Sequence, residues 1–219
     1  MQDPLPNESS LFGYWRSSAA YRVRIALNLK RVTARQIPVQ LQRGEQRSEN
    51  YRAQNPAGLV PFWREPDGFT LAQSLAIIAY LDEIFPDPPL LPADSRQRAL
   101  CREIAYTIAC DIHPIGNLRV FEKLAADFGA RPETPATWNS HWIAAGFDAI
   151  EARLNSTAGR HSVGDTISLA DICLVPQVYN ARRYGVDFTS YPCIVAADTA
   201  AKELPAFAMA APELQADAP

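Results

Sequence analysis

The chain has 219 residues, of which 47% are hydrophobic, so it can bury one large core or two smaller ones. Its formal net charge is −3 and it has no lysine-rich tract, so neither nucleic acid nor an anionic membrane surface is expected as a partner. No apolar run is long enough to span a bilayer, and the polar residues 1–10 do not resemble a signal peptide.

The first part of the chain predicts alternating strands and helices. In chain order the predicted elements are a strand at 11–14, a helix at 17–30, a strand at 36–41, a helix at 48–54, strands at 61–65 and 69–72, and a helix at 74–85. Pro66-Asp67-Gly68 is a turn signal that predicts a hairpin of the last two strands. The order βαβαββα predicts a small mixed sheet with helices packed against it.

A proline-rich stretch, residues 86–92, predicts a domain boundary because four prolines in seven residues exclude a helix. We therefore predict an α/β domain at 9–86 and an all-helical domain at 93–212. The predicted helices of the second domain are 95–126, with a bend at Pro114, then 137–155, 169–184 and a stretch after Pro192.

Ser168 and Asp171 have the spacing of a capping box, in which the serine caps the helix and the acid accepts from the backbone N–H of the serine. We predict that this pair stabilises the fold and has no catalytic role.

The cysteines do not suggest a metal or a disulfide framework. There are four of them: Cys101, Cys110, Cys173 and Cys193. None belongs to a C-x-x-C pair or to a Cys/His cluster with zinc spacing. Buried, reduced thiols, no bound metal and a cytoplasmic location are therefore expected.

Ser17 and Ser18 stand where a predicted strand passes into a predicted helix. Backbone N–H groups and the helix dipole favour negative charge there. A hydroxyl at this point can donate to a thiolate and so lower the pKa of a bound thiol, whose thiolate is the reactive form. The alternative is that one serine is only an N-cap.

Two further segments could hold a small peptide. A cis bond at Val60-Pro61 would turn the Val60 N–H and C=O outward to pair with an extended ligand, whereas a trans bond would only end a loop. Ser74 opens a helix and could hold a carboxylate. Gln73 beside it offers a donor and an acceptor for an amino-acid head group, with a plain helix cap as the alternative.

In this order and spacing, the segments resemble the zeta class of the glutathione transferases, which includes maleylacetoacetate isomerases and glutathione-dependent maleylpyruvate isomerases. The matching segments are Trp15-Arg16-Ser17-Ser18, 22–27, Asn55-Pro56, Val60-Pro61, 73–78, Gly164-Asp165, 169–171, 174–178 and Tyr191-Pro192. The resemblance covers nearly the whole chain. It implies the glutathione transferase fold, with a thioredoxin-like N-terminal domain and an all-helical C-terminal domain, a homodimer, and glutathione as the cofactor.

The resemblance also implies roles for the residues that would bind glutathione. Ser17, with Ser18 beside it, would stabilise the thiolate, and Val60 before Pro61 would pair with the cysteinyl backbone. The γ-glutamyl carboxylate would be held by Gln73 and Ser74, and Gln46 aligns with a glutamine that reaches glutathione. Ala19 stands where the family often has cysteine, so no role can be assigned to that cysteine here.

The second substrate implied by the resemblance is a dicarboxylate with a conjugated cis double bond. Arginine binds carboxylates in a two-pronged way, and the candidates are Arg16, Arg119 and Arg183. His113 stands where maleylpyruvate isomerases carry a histidine near the substrate, so it is also a catalytic candidate. Arg16 is another, because it directly precedes the serine pair. The alternatives are solvated helix arginines and a histidine that is buried in the core or caps a helix.

The resemblance therefore implies a glutathione-dependent cis–trans isomerase in aromatic compound catabolism. His113 favours maleylpyruvate as the substrate, whereas the serine pair and Arg22-Val23-Arg24 favour maleylacetoacetate. Two other functions stay open. One is a transferase or dehalogenase that acts on small α-halo acids or other electrophiles, and the other is a binding module of this fold without catalysis.

Overall fold

The computed structural model describes residues 8–219, which form two compact units. One unit contains the chain up to Pro88 together with Pro205–Pro219, and the other contains Pro89–Leu204. Across the described range, no helix is both long and apolar enough to cross a membrane. Most of the N-terminal stretch for which a signal peptide was not expected, namely 1–7, lies outside the described residues.

The first unit contains a mixed sheet of four strands in the order β2-β1-β3-β4. The strands are β1 (Ser10–Gly13), β2 (Arg35–Pro38), β3 (Phe62–Arg64) and β4 (Thr70–Ala72). β2 runs parallel to β1, whereas β3 is antiparallel to both β1 and β4. A parallel pair needs a crossover, which helix α1 (Ser18–Lys30) supplies. The predicted α/β architecture and the hairpin are confirmed.

Two more helices follow in this unit, α2 (Glu49–Gln54) and α3 (Ser74–Ile84). The strand predicted at 36–41 is wrong at its end, because the strand stops at Pro38 and the chain continues through the 3₁₀ turns Leu41–Arg43 and Glu45–Arg47. Gly44 joins the two turns with φ +75°, a conformation that suits glycine and that a strand does not contain.

Aromatic packing fixes α2 on the sheet. The ring centroids of Phe12 and Phe62 are 5.5 Å apart, and the Tyr51 ring lies 6.3 Å from each of them. Such pairs contribute about 0.5–1.5 kcal/mol each beyond the area that they bury. Their packing keeps the chain between α2 and β3 close to the end of the sheet.

The second unit is helical, as predicted. Its helices are α4 (Ser95–Tyr106), α5 (Leu118–Phe128), α6 (Thr134–Thr157), α7 (Leu169–Arg183) and α8 (Pro192–Lys202). The capping box at α7 is confirmed, since the Ser168 N–H donates to Asp171 Oδ2 at 2.9 Å. Asp171 Oδ1 also accepts from the Ser162 N–H at 2.8 Å, and the Asp171 side chain is fully buried.

The prediction of one helix at 95–126 with a bend at Pro114 is wrong, because α4 ends at Tyr106 and a new helix begins after Pro114. After Tyr106 the chain forms a π-helical stretch, Thr107–Ile112, and then a 3₁₀ turn at Pro114–Gly116 before α5 begins. Pro114 has no N–H and its ring clashes with the preceding turn, so the α-helical ladder cannot continue through it. Gly116 lies so close to the Asn139 side chain that a Cβ at this position would clash with it.

The prediction of buried, reduced thiols is only partly confirmed. All four cysteines lie within residues 8–219 and none forms a disulfide. Cys101 and Cys173 are buried, but Cys110 is exposed and Cys193 is half-buried. The last two positions stand on helix faces that the core does not cover.

The end of the chain packs in the first unit, not in the helical one. Helix α9 (Pro205–Ala208) and a 3₁₀ turn at Pro212–Leu214 form this segment. The Phe207 side chain is fully buried, and Asn28 Nδ2 donates to the Ala206 carbonyl at 2.9 Å. The helical unit therefore ends at Leu204, whereas the sequence predicted a helical domain that continues to 212.

Candidate functional site

The segments that were singled out from the sequence lie at one end of the sheet. One row of paired residues crosses this end: Phe12, Phe62 and Ala72. Three segments lie beyond that row. The chain continues from the end of β1 to Ser17 and from the end of β4 to Gln73, and Val60-Pro61 directly precedes β3. Because β3 runs opposite to β1 and β4, the start of β3 lies beside the ends of its two neighbours. The topology therefore brings the three segments together.

Ser17 is the N-cap of α1. Its Oγ accepts a hydrogen bond from the Ala20 N–H at 3.2 Å, and its backbone is extended, with φ −71° and ψ 116°. An oxygen that accepts in this way still has its own O–H proton to donate. The cap and a donor to a bound anion are therefore compatible roles, not alternatives. The first turn of α1 has no acidic residue that would neutralise the positive end of the helix dipole.

The neighbours of Ser17 differ in exposure. Ser18 is the first residue of α1 and is buried, at 7% exposure. Arg16 is half-buried, and its guanidinium carbon lies 5.0 Å from the centroid of the Trp15 ring. Ser17 itself is half-buried, so it is the serine of the pair that a bound molecule can reach more easily.

The Val60-Pro61 peptide bond is cis. Among residues 8–219, neither the N–H nor the C=O of Val60 has a hydrogen-bond partner. Val60 is half-buried and precedes the first residue of β3 by one proline. Its two backbone groups are thus available to an extended ligand, which pairs with a strand through main-chain hydrogen bonds.

Tyr51 and Asn55 hold the residue before this bond. Tyr51 Oη and Asn55 Nδ2 each donate to the Leu59 carbonyl at 2.7 Å. Burial raises the pKa of Tyr51 above its usual value, while its hydrogen bond with Asn55 acts in the opposite direction, so the hydroxyl remains a donor at neutral pH. Neither residue was predicted at the site. The available signal was the Asn55-Pro56 pair, which is one of the segments that match the zeta class.

Gln46 is buried in the second 3₁₀ turn. Its Nε2 donates to the Leu41 carbonyl at 3.4 Å, whereas its Oε1 is buried and has no hydrogen-bond partner in the described part of the chain. A buried acceptor without a partner costs about 1–3 kcal/mol, so a ligand donor would be favoured here. A Cβ on Gly58 would lie 3.0 Å from the Gln46 carbonyl oxygen, so this turn packs directly against the segment that leads to Val60.

Gln73 has a strained backbone. Its φ of 75° with ψ 119° is a conformation that non-glycine residues seldom adopt and that costs about 1–3 kcal/mol. Its side chain makes no capping bond, although its carbonyl accepts the first helical bond from the Ile77 N–H at 3.0 Å. The plain helix cap is therefore not what the structure contains. The exposed Gln73 side chain stays available beside the N-terminus of α3.

Arg22 is a further candidate site residue that was not predicted from the sequence. Its side chain is 1% exposed, and Nη1 donates to Ser74 Oγ at 3.4 Å. A buried cation thus stands beside the N-terminus of α3, whose first turn contains no acidic residue. The available signal was an arginine on the broadly buried helix α1, where a charge requires a partner.

The remaining candidates lie in the helical unit. His113 is half-buried, and its N–H donates to the Ile108 carbonyl at 2.9 Å, at the end of the π-helical stretch. Arg119 is exposed in the first turn of α5, and Arg183 is the exposed last residue of α7. The guanidinium of Arg183 lies 4.8 Å from the centroid of the Tyr184 ring. Within residues 8–219 neither arginine is ion-paired with a carboxylate.

Known proteins resemble this chain over nearly its whole length. Residues 11–89 match the family described as glutathione S-transferase, N-terminal domain. The "Probable maleylacetoacetate isomerase" of Vibrio cholerae serotype O1 is 48% identical over 210 residues, which are 95% of this chain and 97% of that protein. A solved maleyl pyruvate isomerase, described as a bacterial zeta-class glutathione S-transferase, is 47% identical with a TM-score of 0.92 and covers 96% of this chain and 100% of its own. The chain belongs to the zeta class of the glutathione transferases.

A third relative was solved with ligands. The maleylacetoacetate isomerase of Methylobacterium extorquens AM1, solved with bound malonate and glutathione, is 38% identical with a TM-score of 0.92. It covers 96% of this chain and 99% of its own length. The glutathione transferase fold predicted from the sequence is thus confirmed for this zeta-class chain.

Proposed function

We propose that this zeta-class chain is a glutathione-dependent cis–trans isomerase that converts a maleyl-type dicarboxylate, maleylacetoacetate or maleylpyruvate, to its fumaryl isomer in aromatic compound catabolism. The observation that carries the proposal is the half-buried Ser17 hydroxyl at the N-terminus of α1, at the same sheet end as the unpartnered backbone groups of Val60. A thiol peptide that pairs with Val60 would bring its sulfur to this end of the sheet.

The residues present fit glutathione. The Val60 backbone can pair with the cysteinyl residue, since both of its polar groups lack partners in the described chain. The γ-glutamyl carboxylate fits the N-terminus of α3, where Ser74, Gln73 and the buried cation of Arg22 offer positive potential and donors. The buried, unpartnered Oε1 of Gln46 can accept an N–H of the tripeptide.

Glutathione, when bound, supplies a thiolate that adds reversibly to the conjugated cis double bond and leaves after rotation about the resulting single bond. The part of the protein is to keep the sulfur ionised. Ser17 donates its O–H to the sulfur, and the N-terminus of α1 favours the negative charge. Each unit by which these groups lower the thiol pKa corresponds to about 1.4 kcal/mol. Because the nucleophile belongs to glutathione, Ala19 in place of the family cysteine does not remove it.

The dicarboxylate requires cations. We propose Arg16, Arg119 and Arg183 as carboxylate-binding residues, since arginine pairs with carboxylates through two parallel hydrogen bonds. Arg119 and Arg183 have no carboxylate partner in residues 8–219, which leaves their guanidinium groups available to an anion. The malonate in the relative from Methylobacterium extorquens AM1 is also a small dicarboxylate, which supports a dianion as substrate.

The two substrates are distinguished by a direct assay. Purified protein is incubated with maleylacetoacetate or maleylpyruvate, each with and without glutathione, while the fumaryl product and the free thiol are followed. Isomerisation requires glutathione and leaves the free thiol constant. A loss of thiol equal to the product formed would instead support conjugation or dehalogenation. Calorimetric binding of glutathione without turnover of either compound would support the non-catalytic module.

We further propose that the protein is a cytoplasmic homodimer, in which the first unit binds glutathione and the helical unit contributes substrate residues. The resemblance to zeta-class transferases supports the dimer. Light scattering coupled to gel filtration tests it, and a mass near the 24.2 kDa of one chain would contradict it.

A further inference from the structure

The N–H and the C=O of Trp15 each form a hydrogen bond with a side chain. Its N–H donates to Asp217 Oδ2 at 3.0 Å, and its C=O accepts from Arg24 Nη2 at 2.9 Å. Trp15 lies between the end of β1 and the N-cap Ser17, so both polar groups of its backbone are fixed just before the serine. The Ser17 N–H adds a turn bond to the Tyr14 carbonyl at 2.9 Å.

Asp217 reaches Trp15 because the C-terminal segment is anchored on α1. We call residues 205–217 the C-terminal strap. Its apolar anchor is Phe207, whose side chain is fully buried. Arg24 Nε donates to the Ala210 carbonyl at 3.1 Å, so one guanidinium contacts both the strap and Trp15.

The charge of Arg24 strengthens this arrangement. Burial lowers the pKa of Arg24 to about 10, and the nearby Tyr21 and Asp217 act in the opposite direction, so the group is cationic at neutral pH. Hydrogen bonds to a charged group are roughly twice as strong as neutral ones. The hydrogen bond from Arg24 to the Trp15 carbonyl is therefore one of the stronger contacts of the loop before α1.

The position of Trp15 decides the position of two site residues. The Arg16 guanidinium carbon lies 5.0 Å from the Trp15 ring centroid, and Ser17 follows one residue later. In the described part of the chain, residues 14–17 have only one backbone hydrogen bond among themselves, so both side chains would be able to shift if the strap released Trp15. A displacement of about 1 Å at a reacting group can cost on the order of a hundredfold in rate.

We propose that Asp217 and Arg24 are positioning residues of the isomerase, through which the C-terminal strap holds Trp15 and so places the Ser17 hydroxyl and the Arg16 guanidinium. The proposal rests on the function proposed above. It extends that site to a residue 202 positions away from Trp15 in the chain. If the bonds of Asp217 and Arg24 to Trp15 only stabilised the fold, removing them would not change the pKa of a bound thiol.

The test compares Asp217→Ala with Leu214→Ala, which changes a strap side chain that is 68% exposed. Three quantities are measured: hydrogen exchange of residues 14–18 without glutathione, the thiol pKa of bound glutathione from thiolate absorbance, and kcat. For Asp217→Ala we expect faster exchange, a thiol pKa raised by about half a unit to one unit, and kcat lowered about tenfold. Leu214→Ala should match the wild type.

A conservative variant separates the hydrogen bond from the charge. Asp217→Asn keeps a side-chain oxygen that can accept from the Trp15 N–H, so it should recover most of kcat and slow exchange at 14–18. A chain shortened to end at Ala216 lacks the same acceptor and should reproduce Asp217→Ala. Phe207 and the Asn28 bond anchor the strap independently of Asp217, so both variants should fold.

Ser17→Ala is measured in parallel, so that the two proposals can fail separately. If Ser17→Ala raises the thiol pKa while Asp217→Ala lowers only the melting temperature, the positioning proposal is overturned and the role of Ser17 stands. If Ser17→Ala leaves the thiol pKa unchanged, the role of Ser17 fails and the positioning proposal fails with it.

Discussion

Arg22 donates from Nη1 to Ser74 Oγ across 3.4 Å, which joins α1 and α3 directly at the candidate site. The two residues are 52 positions apart, and each belongs to a helix whose N-terminus lies at the same end of the sheet. The Ser74 hydroxyl that accepts this bond can still donate its own proton to a carboxylate. A buried cation, a hydroxyl and the N-terminus of α3 thus favour an anion at one point.

The first prediction concerns that pair. Arg22→Met should weaken glutathione binding about tenfold or more, because it removes the cation proposed to attract the γ-glutamyl carboxylate. Arg22→Lys should keep part of the affinity, since the charge remains without the planar group. Calorimetric titration with glutathione measures the effect. Arg35→Met, which changes an exposed arginine of β2, is the matched control and should bind as the wild type does.

A double-mutant cycle sharpens this test. If Arg22 acts through Ser74, the combined Arg22→Met and Ser74→Ala variant should lose less affinity than the sum of the two single losses. Strictly additive losses would mean that the two residues influence glutathione independently. Thermal unfolding of each variant separates lost binding from lost folding.

The second prediction concerns Ser17. Ser17→Ala should raise the thiol pKa of bound glutathione by about one to two units, because the donor to the thiolate is gone. Activity that needs the thiolate is present above the thiol pKa and lost below it. The rising limb of the pH–rate profile should therefore move to higher pH, with kcat at pH 7 about 10- to 100-fold lower.

Variants near Ser17 serve as controls. Ser17→Ala also removes the cap of α1, which costs about 1 kcal/mol of stability, so Ser17→Thr is needed to retain a capping hydroxyl. Ser18→Ala changes the buried neighbour and should leave the pH profile nearly in place. A Ser18→Ala profile shifted as far as that of Ser17→Ala would mean that the two serines share the role.

The third prediction uses the strained backbone of Gln73. Gln73→Gly should weaken glutathione binding without lowering the melting temperature, because glycine relieves the strain of φ 75° and offsets its own conformational entropy cost. Gln73→Ala loses the same side chain but keeps the strain. Calorimetry and thermal unfolding of both variants check this. Equal affinity in Gln73→Gly and the wild type would exclude the side chain from the site.

The fourth prediction separates the fold from the site. Asp171→Ala removes a buried carboxylate that accepts from the Ser162 and Ser168 N–H groups, so it should lower the free energy of unfolding by about 3 kcal/mol or more. The KM for glutathione of the folded fraction should stay at the wild-type value. Denaturant unfolding and steady-state kinetics at low temperature measure the two effects. A raised KM would contradict a purely structural role.

The fifth prediction concerns the helical unit. Arg119→Ala and Arg183→Ala should each raise the KM for the dicarboxylate about tenfold or more and leave glutathione affinity unchanged. Arg131→Ala, at an exposed arginine that pairs with Glu133, is the control. His113→Gln should change the ratio of kcat/KM for maleylpyruvate to that for maleylacetoacetate. An unchanged ratio would show that His113 does not discriminate between them.

Predictions from sequence succeeded where the signal is local. The Pro66-Asp67-Gly68 turn gave the hairpin, and the spacing of Ser168 and Asp171 gave the cap of α7, since both depend on residues within one turn of each other. The helix starts at Ser18 and Ser74 are local in the same way. The helix at 95–126 failed because its interruption also depends on packing, which brings Gly116 against Asn139 from α6.

By itself, the sequence determined the order of strands and helices in the first unit, the serine at the start of α1 and the resemblance to a zeta-class transferase. Only the tertiary structure decided that Val60-Pro61 is cis, that Arg22 meets Ser74, and that Asp217 holds Trp15. The physical reason is the range of the interactions. A turn or a cap depends on neighbouring residues, whereas contacts between distant residues form only when the packing of the whole unit offsets the entropy of closing the chain between them.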